Sequence, residues 1–120
     1  MRIAIDGMGG DHAPDEIIAG AIDAAKALPD AKLILVGQKD RLSRPDLPRN
    51  IQIHHASEIV AMDEEPARAL RGKPDSSLRV ALTLVKKGEA DAAISAGNTG
   101  ALVGGAIVPV FGLGNLEGVK

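Results

Sequence analysis

Residues 1 to 21 read MRIAIDGMGGDHAPDEIIAGA. A short apolar run, Arg2 to Asp6, breaks into the glycine-rich turn Gly7-Met8-Gly9-Gly10. Pro14 then stands where a first helical residue is expected, and Asp15 and Glu16 fall in the first turn, at the positive end of the helix dipole. Ile17, Ile18, Ala21, Ile22, Ala25 and Leu28 recur at helical spacing, and Pro29 closes the run. A buried strand, a tight turn and an amphipathic helix in immediate succession are the opening of an α/β fold.

The same alternation continues. Lys32 to Val36 (KLILV) reads as a second strand closed by Gly37, and residues 38–50 as a proline-containing loop with one helical turn. Ile51 to His54 is a weaker strand. Residues 57–75 lack a clean period and read as a surface excursion with a helical turn near Pro66 to Leu70. A second clear helix follows. Asp75, Ser76 and Ser77 offer capping oxygens, Leu78, Ala81, Leu82 and Val85 form its stripe, and Gly88 suits the position after its end. Asp91 to Ile94 reads as a fourth strand, Ser95 to Gly100 (SAGNTG) as its exit, and Ala101 to Val108 as a helix stopped by Pro109. The pattern predicts one domain over 1–120, an open and mostly parallel α/β sheet with right-handed crossovers.

Composition narrows the function. Hydrophobic residues make up 45% and the net charge is −2, so no basic footprint for nucleic acid is present. One Phe without Tyr or Trp leaves no stacking platform for bases. Cysteine is absent, which removes disulfides and thiol nucleophiles and fits a reducing compartment. No apolar stretch approaches the ~18 residues of a membrane span. The strand pattern at the N-terminus leaves no room for a signal peptide.

Ligands of open α/β sheets sit beyond the carboxyl ends of the strands. Two exits carry suitable chemistry, DGMGGDHAP after the first strand and SAGNTG after the fourth. Glycine lets backbone amides approach a ligand, and Ser95, Asn98 and Thr99 offer hydrogen bonds. The competing reading is an ordinary turn whose polar side chains only cap a helix, the commoner fate of either loop alone. Neither loop is a dinucleotide fingerprint, and no P-loop motif occurs. Asp6 is expected to accept backbone amides and shape its turn. His12 is open between proton donor, phosphoryl contact and surface residue. His54-His55 reads as a strand terminus. Arg68, Arg71 and Lys73 either face an anion or are solvated. Asp6, Asp11 and His12 match no common metal-ligand spacing.

Three stretches together, MRIAIDGMGGDHAPDEIIAGA, RGKPDSSLRVAL and ADAAISAGNTGALV, resemble the phosphate acyltransferases of bacterial phospholipid synthesis, the PlsX family. The resemblance runs over nearly the whole chain. It implies a Rossmann-like three-layer α/β/α sandwich related to isocitrate and isopropylmalate dehydrogenases. It also implies transfer of a fatty acyl group from acyl carrier protein to inorganic phosphate, without metal or organic cofactor, by a cytoplasmic, membrane-peripheral homodimer. On this sequence it points to Asp11, His12 and Asn98 as catalytic positions. Gly9, Gly10, Ser95, Gly97, Asn98, Thr99 and Gly100 become phosphate contacts, with Ser76 and Ser77 as a third element. The alternatives are a phosphotransacetylase-like transfer from coenzyme A and a non-catalytic anion-binding fragment. The chain corresponds to the N-terminal portion of such a protein, and alone it is expected to need a second copy or the remaining half to fold.

Overall fold

A computed structural model describes residues 1–98. Thr99, Gly100, the expected helix 101–108 and the tail lie outside the described residues. The elements run β1 (Arg2–Asp6), α1 (Asp15–Ala27), β2 (Lys32–Gly37), α2 (Lys39–Leu42), β3 (Ile51–His55), α3 (Pro66–Gly72), α4 (Ser77–Lys86) and β4 (Ala92–Ile94). The strands form one sheet in the order β3-β2-β1-β4, with every pairing parallel. Register places Ala4 beside Ile34 and Ala93, so β1 sits between β2 and β4.

Side-chain alternation sorts the core into two layers. Ala4, Ile34 and Val36 point to one face and pack with Ala81 and Leu84 of α4. Leu35 points to the other face, where Ile18 and Ala21 of α1, Leu42 of α2 and Met8 cover it. Strand β2 is buried from Leu33 to Gly37, as a parallel strand covered on both sides must be. Helices therefore flank the sheet on both faces. None of the described helices is long and apolar enough to cross a membrane.

Local chemistry explains the element ends. The Ser76 hydroxyl caps α4 by accepting the Arg79 amide at 3.2 Å. Gly88 follows the helix with φ +78°, a conformation that favours glycine. The first helix starts one residue later than expected. Pro14 occupies its N-cap and accepts the Ile18 amide at 2.9 Å. Leu28 leaves the apolar face because the helix ends at Ala27 and the C-cap backbone turns away, so its side chain is 52% exposed. Asp91 stays outside β4, and its carboxylate accepts the Arg2 amide at 2.8 Å.

The excursion at 57–75 differs from expectation. Its neck is zipped shut: Glu58 bridges to Ser76 in parallel, and Asp75 accepts both the amide and the hydroxyl of Ser57 at 2.8 and 2.6 Å. Its body is core, since Val60, Ala69 and Leu70 are buried against Leu78 and Leu82 of α4. The apolar spacing escaped a periodic reading because a loop and a short helix share it. Replacing a buried Leu by Ala costs about 2–5 kcal/mol. Leu70→Ala is therefore expected to lower stability in that range, measured by urea unfolding, whereas a surface excursion would tolerate it within ~0.5 kcal/mol.

Candidate functional site

The chain winds outward from β1 through β2 to β3 and then returns to place β4 on the other side of β1. That reversal is a topological switch point, where the loops leaving two adjacent parallel strands part and open a crevice. Here those loops are Gly7 to His12 and Ser95 to Asn98.

Asp6, at the end of β1, joins them. Its side chain is 2% exposed. One carboxyl oxygen accepts the Met8 amide at 3.1 Å and the Ser77 hydroxyl at 2.5 Å. The other accepts the Ser95 hydroxyl at 2.9 Å. A single residue thus binds its own turn, the first residue of α4 and the exit of β4. The turn-shaping role expected of it is present, and the two hydroxyl contacts extend it.

Glycine allows the two exits to meet. A Cβ on Gly9 would lie 2.5 Å from the Asp6 carboxyl and 3.0 Å from the Gly97 nitrogen, inside contact distance of atoms already held in place. Gly10 adopts φ +103°, which side-chain-bearing residues rarely occupy. Among the described residues, the amides of Gly9, Gly10, Asp11 and His12 donate to no protein acceptor, whereas the Gly97 amide donates to the Ser95 hydroxyl at 3.0 Å.

Two depressions flank this backbone. The first, about 520 Å³, is lined by Gly9, Gly10, Asp11, His12, Glu16, Ile17 and Ala96. The second, about 450 Å³, has Met8, Gly10 and Asp11 on one side and Ile59 to Asp63 on the other. Gly9, Gly10, Asp11 and His12 are thereby brought together, with His12 exposed at the lip. The remaining expected contacts are differently engaged. Ser77 and Ser95 hydrogen-bond Asp6, and Ser76 caps α4. Asn98 is 6% exposed, and its Nδ2 donates to the carbonyls of Ala61, Met62 and Glu64 at 3.3, 3.3 and 2.9 Å. Thr99 and Gly100 lie outside the described residues. Of the three basic residues considered, Arg68 and Arg71 are exposed, while Lys73 pairs with Glu64 and donates to the Ile59 carbonyl at 2.7 Å. His55 accepts the Lys39 amide at 3.1 Å at the far side of the sheet, as a strand terminus would. Among the described residues, no three His, Asp or Glu side chains form a group that could hold a metal ion.

Sequence reasoning missed the 59–64 loop as a wall of the site. Its ties to Lys73 and Asn98 span 9 and 34 residues, separations at which no local spacing signals contact.

Two outcomes follow from this geometry. Asp6→Ala strands the buried Ser77 hydroxyl, the half-buried Ser95 hydroxyl and the Met8 amide, and an unsatisfied buried group costs about 1–3 kcal/mol. The variant is expected to lose about 2–4 kcal/mol of unfolding free energy, read by chemical denaturation. The second outcome concerns pH. The hydrogen bond from Lys73, then that from the Ala61 amide, holds the Glu64 carboxyl below its ordinary value of 4.5. Hydrogen bonds from Arg68 and Ala67 amides, from Ser57, and from Arg2 likewise lower Glu65, Asp75 and Asp91. A lowered folded value adds stability that is complete above the unfolded value and lost as pH falls through the folded one. Stability should therefore decline below pH 4.5, and Glu64→Gln should make that decline shallower in acid denaturation curves.

The sequence relationships agree with these features. The family model described as Fatty acid synthesis protein matches residues 1–120. A protein named phosphate acyltransferase from Pediococcus pentosaceus is 46% identical over 120 residues, covering 99% of this chain and 34% of that protein. Proteins of the same name from Desulfitobacterium hafniense and Anaeromyxobacter sp. are 49% and 50% identical, covering 99% and 98% of this chain and 36% and 33% of theirs. The chain spans about a third of the length of the curated relatives it matches. It belongs to the fatty acid synthesis protein family, the PlsX family that its three motifs resemble.

Proposed function

We propose that this chain supplies the phosphate-holding part of a phosphate acyltransferase, which makes acyl phosphate from an acyl carrier protein thioester and inorganic phosphate for phospholipid synthesis. The observation that carries the reading is the row of undonated amides from Gly9 to His12 at the β1–β4 switch point. Backbone N–H groups around a tight glycine turn grip a tetrahedral oxyanion without needing a cationic side chain.

In the reaction, a phosphate oxygen attacks the thioester carbonyl carbon. The new C–O bond forms, the C–S bond breaks, and the sulfur leaves as thiolate to be protonated to the carrier thiol. Phosphate is the nucleophile, so the absence of cysteine is no obstacle. The protein has to hold phosphate in line and exclude other poses. Gly9, Gly10 and Asp11 present amides, and His12 at the lip donates to a phosphoryl oxygen. Asp11 faces the same depression and orients the protonated oxygen of the phosphate. Asn98, with Ser76, Ser77 and Ser95, fixes the surrounding backbone. The finer properties follow the family: a homodimer that works in the cytoplasm at the membrane periphery and docks acyl carrier protein.

The test combines binding and turnover. Inorganic phosphate titrated into the labelled chain is expected to shift the amide resonances of Gly9 to His12 before any others. With phosphate and palmitoyl carrier protein, acyl phosphate should form; product from acetyl coenzyme A alone would reassign the donor. An unmoved Gly9–His12 segment at saturating phosphate would overturn the site assignment.

A further inference from the structure

The loop from Ile59 to Glu64 has more anchors than its length requires. The Asn98 amide reaches three of its carbonyls, those of Ala61, Met62 and Glu64. The Glu64 carboxylate turns back to accept the Ala61 amide at 3.0 Å, and the Glu64 amide donates to the Ala61 carbonyl at 3.2 Å. Lys73 then clamps both ends, donating to the Ile59 carbonyl and to the Glu64 carboxylate. The side chains of this ion pair are only 32% and 28% exposed. Hydrogen bonds to charged groups contribute more than neutral ones, and partial burial limits their screening by salt.

Position gives these anchors a consequence. The clamped loop forms the wall opposite Gly10 and Asp11 in the second depression. The same two residues line the first depression, where the undonated amides lie. Asn98 belongs to the β4 exit, so the loop is fixed to one mouth of the sheet and faces the other.

We propose that Lys73 and Glu64 are positioning residues of the site: together with Asn98 they set the 59–64 loop as its third wall and so fix the approach to Gly10 and Asp11. Neither touches the reacting atoms. This inference rests on the oxyanion reading of the strand exits for its functional meaning, but the latch itself is measurable without any ligand.

The reporters are the amides of Ala61 and Glu64, each bonded within the latch. In the Lys73→Met variant of the intact chain, their hydrogen exchange is expected to quicken about tenfold, the amount that corresponds to losing one charged hydrogen bond. Exchange in β1 and β2 should stay unchanged. Glu64→Gln, which keeps an acceptor oxygen, should give a smaller acceleration at the same two amides and serves if the first variant folds poorly. Phosphate affinity in Lys73→Met, measured where the variant is fully folded, should fall about fivefold, which a purely structural role would not produce. Unchanged exchange at Ala61 and Glu64 in both variants overturns the latch. Acceleration spread over the whole sheet overturns a positioning role. Failure of phosphate to perturb Gly9 to His12 in the unmodified chain instead overturns the oxyanion reading, and leaves the exchange result to judge the latch separately.

Discussion

A carboxyl group removed from water must find hydrogen-bond donors within the protein, or its burial becomes prohibitive. Asp6 meets that demand with donors from its own turn and from two distant stretches of chain, the first residue of α4 and the exit of β4. The requirement acts as a spatial constraint. Because both Asp6 oxygens are engaged, the start of α4 and the Ser95 loop have little freedom to move relative to β1. The candidate site thus inherits the rigidity of the sheet, although it is built almost wholly from loops. Glycine at positions 9 and 97 is the other side of this constraint, since a side chain at Gly9 would occupy the space the carboxyl needs.

Much of the fold was legible because it depends on local chemistry. The apolar run Lys32 to Val36, the stripe of α4 and its Ser76 cap follow from periodicity and from the donors a helix start leaves open. The two strand exits were recognisable by their glycines. Sequence could not show that they adjoin, because strand order depends on how the crossovers pack. Adjacency of β1 and β4 is what turns two ordinary turns into one crevice.

The side chains of the site were the less legible part. Ser95, Ser77 and Asn98 have the chemistry of anion contacts, and all three use polar atoms on the protein itself. A hydroxyl or amide looks the same in sequence whether it meets a ligand or a carbonyl 34 residues away. Lys73 illustrates the same ambiguity for charge. It stood with Arg68 and Arg71 as a possible anion contact, yet its ammonium closes a loop against Glu64. Where long-range partners decide a residue's task, composition and spacing carry no information about it, and burial decides.

The acids around the crevice bear on the proposed chemistry. Asp11 and Glu16 line the first depression and Asp63 the second, whereas among the described residues His12 is the one basic side chain lining either. Such surroundings disfavour tight electrostatic capture of the proposed phosphate and would leave its recognition to directed amide hydrogen bonds. For phosphate acting as a nucleophile this is the more useful balance. Strong neutralisation by lysine or arginine would stabilise the ground state and withdraw electron density from the attacking oxygen. Binding that is equal in ground and transition states does not raise the turnover rate. Amides that fix orientation without cancelling charge leave the oxygen reactive, and the neighbouring carboxylates resist retention of an anionic product. Among the described residues the mouth of this sheet is poor in cations, which suits the proposed turnover of phosphate rather than its storage.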